Sequence, residues 1–260
     1  MKGILTILGC GASLGVPAIA CECSVCRSLD PKNKRLRTSA LLEVDGKKVL
    51  IDAGPDFRQQ ALRQGIVHID GIILTHIHFD HIAGIDDTRV FSFHHQKAVS
   101  LLLSESAFEE FRVKYAYFFH QHTTYIAKFE PEVVQMFPSN VEFAGLEFSL
   151  VNYYQGKTEV LGFIIGDLAY ITDIKSFDER IFDSLKGIKT LVISALKNQT
   201  NEHHLSFDES IEFAKKIGAK KTFLTHLSHE VDYGSASMLL PPNVELCFDG
   251  LQLEFEYERK

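Results

Sequence analysis

Thr75-His76-Ile77-His78-Phe79-Asp80-His81 is the stretch whose reading decides the fold. Ile72, Ile73 and Leu74 run into it from Gly71, with Ile66 and Ile69 upstream. A short apolar run bounded by glycine reads as a buried strand. The strand ends where the polar cluster starts, so the cluster rides on a loop at a strand end. Rigid scaffolds commonly present their chemistry on such loops. Three imidazoles and one carboxylate within six residues are costly to hold together unless a cation sits among them. Imidazole and carboxylate together suit zinc, iron or manganese.

The spacing points to two ions. On a turn after a strand, His76 and His78 can face one side, while Asp80 and His81 lie around the bend and serve a second ion. Paired ions about 3.5–4 Å apart clamp the attacking and leaving oxygens in phosphoester hydrolysis. The pattern H-x-H-x-D-H resembles the signature of the metallo-β-lactamase superfamily, and the rest of the chain can be compared with it.

With 260 residues, 45% of them hydrophobic, the chain can bury a sizeable core, and one domain spanning 1–260 is expected. A net charge of -7 is not suited to non-specific nucleic-acid binding, so nucleic acid is not an expected partner. The apolar start is too short for a signal peptide. No run approaches the ~18 apolar residues of a membrane helix. A cytoplasmic protein without a membrane partner is expected, and a homodimer is allowed. Of five cysteines, three fall within six residues, Cys21, Cys23 and Cys26. In a cytosolic chain such clustering signals metal more often than disulfide.

Along the chain, Gly3 to Leu8 reads as a strand entering the glycine-rich stretch Gly9 to Gly15. That stretch is no dinucleotide fingerprint, since its third glycine comes one place late; it reads as a loop of close backbone approach. Residues Thr38 to Val44 and Lys47 to Ile51 form a hairpin about Asp45-Gly46. Pro55 opens a helix to Gln64, stopped by Gly65. Ala98 to Leu103 is a strand, and Glu105 to Tyr115 a helix with Phe108 and Phe111 inward. Residues 116–140, with Tyr117, Phe118, Phe119, His120, His122, Tyr125 and Phe129, form an aromatic, irregular segment that reads as core or interface. Strands follow at Leu146–Tyr154, Val160–Ile165 and Leu168–Thr172, then a helix near Ser176–Leu185 and a strand Thr190–Ser194. A capping box at Ser206 opens a helix to Ile217, Lys221 to Thr225 is a strand, and a last hairpin turns at Asp249-Gly250.

Further ligand candidates stand at strand ends. Asp173 follows one strand and is placed to bridge two ions; His226 follows another. Two metals need more ligands than one loop supplies. Cys21, Cys23 and Cys26 supply three thiolates, and a tetrahedral structural zinc wants a fourth ligand. Cys10 and Cys247 sit in apolar strand contexts, where a buried free thiol is the commoner role. His229, three residues past His226, is the better candidate.

The resemblance then narrows. Leu8 to Pro17 followed by Cys21, Cys23 and Cys26 looks like the PhnP-like phosphodiesterase branch of the superfamily. So do Asp30-Pro31-Lys32-Asn33, Gly54-Pro55-Asp56-Phe57-Arg58, Gly84-Ile85-Asp86-Asp87-Thr88-Arg89 and Thr225-His226-Leu227-Ser228-His229. The resemblance implies a four-layer αββα sandwich with a dinuclear site, two divalent ions of manganese or zinc, at one rim. It implies His76 and His78 on the first ion, Asp80, His81 and His226 on the second, and Asp173 bridging. His204 corresponds to a family histidine that acts as general acid or substrate contact, and Asp80 joins it among the catalytic residues. Asp52 resembles a carboxylate that orients a ligand imidazole. The resemblance also pairs Cys21, Cys23 and Cys26 with His229 around a structural zinc. One position departs from the pattern: Gln155 stands where the family has the first ion's third imidazole.

The function implied is hydrolysis of a small-molecule phosphodiester, including a cyclic ribose phosphate. The alternatives are a metallo-hydrolase of another bond, thioester or lactam, and a catalytically impaired metal-binding domain, for which Gln155 is the best support.

Overall fold

The structure is a computed structural model that describes residues 1–119 and 126–259. The expectations for His120, His122 and Tyr125 lie outside the described residues. Two seven-stranded sheets form its centre. The first contains β1 (Lys2–Gly9), β2 (Ser39–Val44), β3 (Lys47–Ile51), β4 (Gly71–Ile73), β5 (Val99–Ser104) and β6 (Phe129–Val134). The second contains β7 (Ser139–Phe143), β8 (Leu146–Gln155), β9 (Thr158–Ile165), β10 (Leu168–Ile171), β11 (Thr190–Ser194), β12 (Lys221–Thr225) and β13 (Val244–Leu246). The last strand, β14 (Gln252–Glu256), returns to the first sheet and pairs antiparallel with β1.

Alternation along the strands divides the apolar residues into three layers. Leu5, Leu42, Val49 and Ile73 of the first sheet meet Leu150, Phe163, Tyr170 and Val192 of the second in the central core. Outward-facing Leu50, Ile72 and Leu101 pack under Phe57, Ile82 and Phe111 of the flanking helices. On the other side Ile171, Leu191 and Leu224 pack under Phe207, Phe213 and Ala214. Helix, sheet, sheet, helix is the expected four-layer αββα sandwich. Its inner strands are apolar on both faces because both faces are covered.

The strands that carry chemistry are the parallel ones, β3 and β4 in one sheet and β10, β11 and β12 in the other. Their carboxyl ends open at one rim, where open α/β sheets place their ligands. Gly54 makes that rim tight. A Cβ there would lie 2.0 Å from the carbonyl oxygen of Asp80, so only glycine lets the two segments touch. Ala53 N–H donates to the His81 carbonyl at 2.8 Å across this contact. The Gly9–Gly15 loop approaches the chain itself: Gly11 bridges Arg37 and Leu227.

Four local expectations change. Asp249-Gly250 turns the chain between sheets, not within a hairpin, because Val244 and Leu246 join β12 while Leu253 and Phe255 return to β1 and the central core. The helix near 176–185 shrinks to Ile181–Ser184, since the Ser176 backbone is engaged with Tyr154. The helix after Pro55 begins at Phe57, its preceding Asp56 held by Arg37. The irregular segment yields β6 and β7.

Candidate metal centre

The sequence-predicted residues converge on the rim. Loop 75–81 leaves β4, Asp52 leaves β3, Asp173 leaves β10 and His226 leaves β12. Three of these residues adopt left-handed backbone: Asp52 at φ 59°, Asp173 at 54° and His226 at 58°. Non-glycine residues seldom do so, and such strain gathers at functional sites.

Asp173 stands in the middle. Its Oδ2 lies 3.2 Å from His81 Nε2 and its Oδ1 3.1 Å from His226 Nε2. Asp80 Oδ2 lies 3.5 Å from the same His81 atom and 3.4 Å from the same His226 atom. His76 Nε2 and His78 Nδ1 face each other at 3.0 Å. His204 stacks on His226 with ring centroids 4.6 Å apart. Asp52, Asp173, His76, His81 and His226 are buried almost completely.

The far nitrogens show which atoms are left over. His81 Nδ1 lies 2.7 Å from Asp52 Oδ2, which as a carboxylate oxygen accepts. The Nε2 of His81 is then the atom turned towards Asp173 and Asp80, and it has no hydrogen-bond partner of proper geometry. Thr75 donates its hydroxyl to Asp52 at 2.8 Å and so accepts from His76 Nδ1 at 3.0 Å, which leaves His76 Nε2 as a lone pair. Thr158 Oγ1 lies 3.1 Å from His78 Nε2 and holds that end of the ring, which turns His78 Nδ1 towards His76. Four imidazoles and two carboxylates brought this close in a buried site are the donor types that share a cation. The donor set fits divalent metal.

Without metal, charge among these groups is shared by protons. Burial opposes a charge on His81, but Asp173 and Asp52 outweigh it and hold the imidazole well above its ordinary range. Burial likewise opposes a charge on Asp173, yet His226 and His81 hold that carboxyl well below the usual range. His76, without a carboxylate so close, is pushed well below by burial. His204 is pulled down to about 4, first by burial and then by the neighbouring His226.

Gln155, at the end of β8, points its amide nitrogen to His204 Nε2 at 2.8 Å and to Asp173 Oδ1 at 3.4 Å. Beside His76 a cavity of about 400 Å³ opens, lined by Ser106, Glu110, Tyr154, Lys157 and Thr158. That size suits a small molecule.

A second cluster lies apart from the rim residues. Cys21 Sγ and Cys23 Sγ lie 3.4 and 3.6 Å from His229 Nδ1. With Cys26, all four ligand atoms lie within 4.8 Å of one another. Cys26 N–H donates to Cys23 Sγ at 3.4 Å and Ala18 N–H to Cys26 Sγ at 3.3 Å, as suits thiolates. Cys10 and Cys247 stay out of it, both fully buried, with Cys10 Sγ 3.4 Å from the Cys247 carbonyl.

Thr75, Thr158 and Asn201 were not singled out by sequence. Asn201 Oδ1 accepts from His204 N–H at 2.7 Å and seats that residue. Thr75 adjoins the histidine motif, which was its one available signal. Asn201 stands three residues before His204, a local spacing that could have pointed to it, whereas Thr158 has no local signal, its partner His78 lying 80 positions away.

A model of the beta-lactamase superfamily domain matches residues 47–227. The chain belongs to the metallo-β-lactamase superfamily and has its fold. Its likeness runs to the PhnP-like branch. A solved structure of a new diphosphatase from the PhnP family is 39% identical, with a TM-score of 0.90 over 99% of this chain and 98% of the other. Zinc-bound PqqB from Methylobacterium extorquens shares the fold, with a TM-score of 0.79 at 20% identity over 96% of this chain and 99% of that one. A protein named octanoyltransferase from Porphyromonas gingivalis is 37% identical over 253 residues, 95% of this chain but 50% of that protein. The chain thus spans about half the length of that relative.

Proposed function

We propose that the chain, as one hydrolase domain over residues 1–260, hydrolyses a small-molecule phosphodiester with the help of two divalent ions, manganese or zinc. The observation that carries this reading is the set of buried imidazole nitrogens and carboxylates converging on Asp173. His76 and His78 would hold one ion and Asp80, His81 and His226 the other, with Asp173 between. When bound, the ions supply Lewis acidity and neutralise charge on the phosphoryl group. Asp52 and the threonines fix the imidazoles in the tautomers that face inward. His204, stacked on His226, handles the proton at the leaving oxygen. The cavity beside His76 receives the rest of the molecule. The diphosphatase relative, alike over nearly the whole chain, supports phosphoryl chemistry.

Cys21, Cys23, Cys26 and His229 would hold a structural zinc, with the geometry of a closed site. Three clustered thiols that must stay reduced suit a cytoplasmic setting. Among the described residues no helix is long and apolar enough to cross a membrane.

The octanoyltransferase relative favours a second reading, cleavage of an acyl thioester by the same centre. The test is hydrolysis of bis-p-nitrophenyl phosphate against an octanoyl thioester, each with manganese or zinc. Turnover of the phosphodiester is expected. Turnover of the thioester alone would replace the first reading with the second. Metal binding without either activity would leave a metal-binding domain.

A further inference from the structure

Strand β8 carries Leu150, Asn152 and Tyr154 on one face, because strand side chains alternate. Leu150 lies in the central core, while Val151 and Tyr153 pack on the opposite face with the helices. Asn152 donates to Glu159 at 2.7 Å. Two positions further on the core has ended, and Tyr154 emerges 42% exposed. It lines the cavity of about 400 Å³ that also includes His76. Among the described residues no other ring packs on it. Its backbone is nonetheless held fast. Tyr154 N–H donates to the Ser176 carbonyl at 2.8 Å, and the Tyr154 carbonyl accepts from Lys175 and Ser176 at 2.9 and 3.0 Å. A large ring on a fixed backbone, uncovered beside the metal centre, loses little freedom when another ring stacks on it.

The polar groups of the cavity narrow the occupant. Glu159 accepts from Ser106 at 2.6 Å as well as from Asn152, and Glu110 pairs with Lys114 at 3.1 Å. Lys157 stands in the two-residue turn Gly156-Lys157 between β8 and β9. Among the described residues it makes no hydrogen bond or ion pair. The carboxylates are engaged and an ammonium donor is free, so the group that fits is flat and carries acceptors on its edge. A nucleobase has both properties.

We propose that the cavity beside His76 is a nucleobase subsite, with Tyr154 stacking on the base and Lys157 donating to its edge, so that the substrate is a small nucleotide phosphodiester. The reaction rests on the phosphodiesterase reading; the binding of a base does not.

The chain has no tryptophan, so Tyr154→Trp introduces a single one at the platform. The zinc-loaded protein is titrated with adenosine 5′-monophosphate and with ribose 5-phosphate, which differ by the base. The adenosine compound is expected to quench the tryptophan and the ribose compound is not. By calorimetry the wild type is expected to bind the adenosine compound roughly 10-fold more tightly, as suits one stacked base. Tyr154→Phe should keep that preference, and Tyr154→Ser should reduce it to less than about 2-fold at full zinc content. Lys157→Met should weaken the adenosine compound several-fold. Equal binding of the two compounds by the wild type, or binding of neither, overturns the proposal. So does a preference that survives in Tyr154→Ser, or an adenosine compound that binds Tyr154→Trp without quenching it. Base preference without turnover of a phosphodiester would sink the functional reading and leave the subsite standing.

Discussion

Asp52 Oδ2 accepts from His81 Nδ1 at 2.7 Å, and neither side chain is exposed to solvent. The same carboxylate takes the Thr75 N–H and hydroxyl, each at 2.8 Å, and through Thr75 reaches His76. One buried group therefore sets the direction of imidazoles on both sides of Asp173.

Asp52→Asn is expected to keep the fold, because asparagine tolerates left-handed backbone. It cannot accept with both side-chain atoms, so His81 or Thr75 loses its partner. Metal affinity should fall about 10–100-fold, the range for partners of metal-binding histidines. Asp52→Ala should also cost about 3–5 kcal/mol of stability by leaving a buried cation unpaired. Metal titration and denaturant melts measure the two effects. Wild-type affinity in Asp52→Asn would remove Asp52 from the site.

Asp173 is the residue whose loss should damage metal binding most. It contacts His81 through one oxygen and His226 through the other. Asp173→Ala is expected to hold less metal than His76→Ala, His78→Ala or His226→Ala, and Asp173→Asn separates the lost charge from the strained backbone. Elemental analysis after dialysis decides. Full metal content and activity in both variants would refute the dinuclear arrangement.

Most of this frame was legible because its signals are local. The His76–His81 motif, the Asp45-Gly46 hairpin and the Ser206 capping box each declare themselves within a few residues. Edge strands β6 and β7 did not, since one contains Pro131 and half their residues face solvent. The turn joining β7 to β8 is Ala144-Gly145, both at positive φ, and alanine there gives no hairpin signal. Phe177, Ile181 and Leu185 have helical spacing, but pairing of Ser176 with Tyr154 overrides it. At Asp249-Gly250 the turn was readable and the destination of its strands was not. At the site the ligand types and strand ends were readable. The hydrogen bonds from Gln155 to His204 and between Thr158 and His78 join residues 49 and 80 positions apart, so no local pattern encodes them.

Thr158 supplies a test of tautomer control from outside the motif. Thr158→Val keeps the branched shape β9 prefers and removes the oxygen 3.1 Å from His78 Nε2. The melting temperature should hardly change, because Thr158 is only half-buried. Affinity at the His76–His78 side should drop roughly 10-fold. Calorimetric titration with manganese measures it, and an unchanged isotherm would show that His78 needs no such partner.

The last prediction concerns the cysteine cluster. In the metal-free protein the contact with His229 pulls the Cys23 thiol down to about 6, while burial pushes Cys26 up to about 11. The ordinary value is 9.0. A group whose folded value is depressed contributes stability that is complete above its unfolded value and disappears as pH falls through the folded one. For Cys23 that window runs from 9.0 down to about 6. The metal-free wild type should therefore lose melting temperature across this range more steeply than Cys23→Ser. Zinc binding must also displace the proton from Cys26, so uptake releases protons and acid reverses it. The loaded protein should carry more zinc than Cys23→Ser and melt several degrees higher, with activity falling only after stability. His229 lies in the segment that also carries His226, and Leu227 N–H donates to the Cys10 carbonyl at 2.8 Å, so loss of the cluster loosens a rim residue through its own backbone. His229→Ala should release the same zinc. Equal zinc content and equal melting in wild type and Cys23→Ser would rule the site out. Zinc lost from Cys23→Ser but retained by His229→Ala would move the fourth ligand elsewhere.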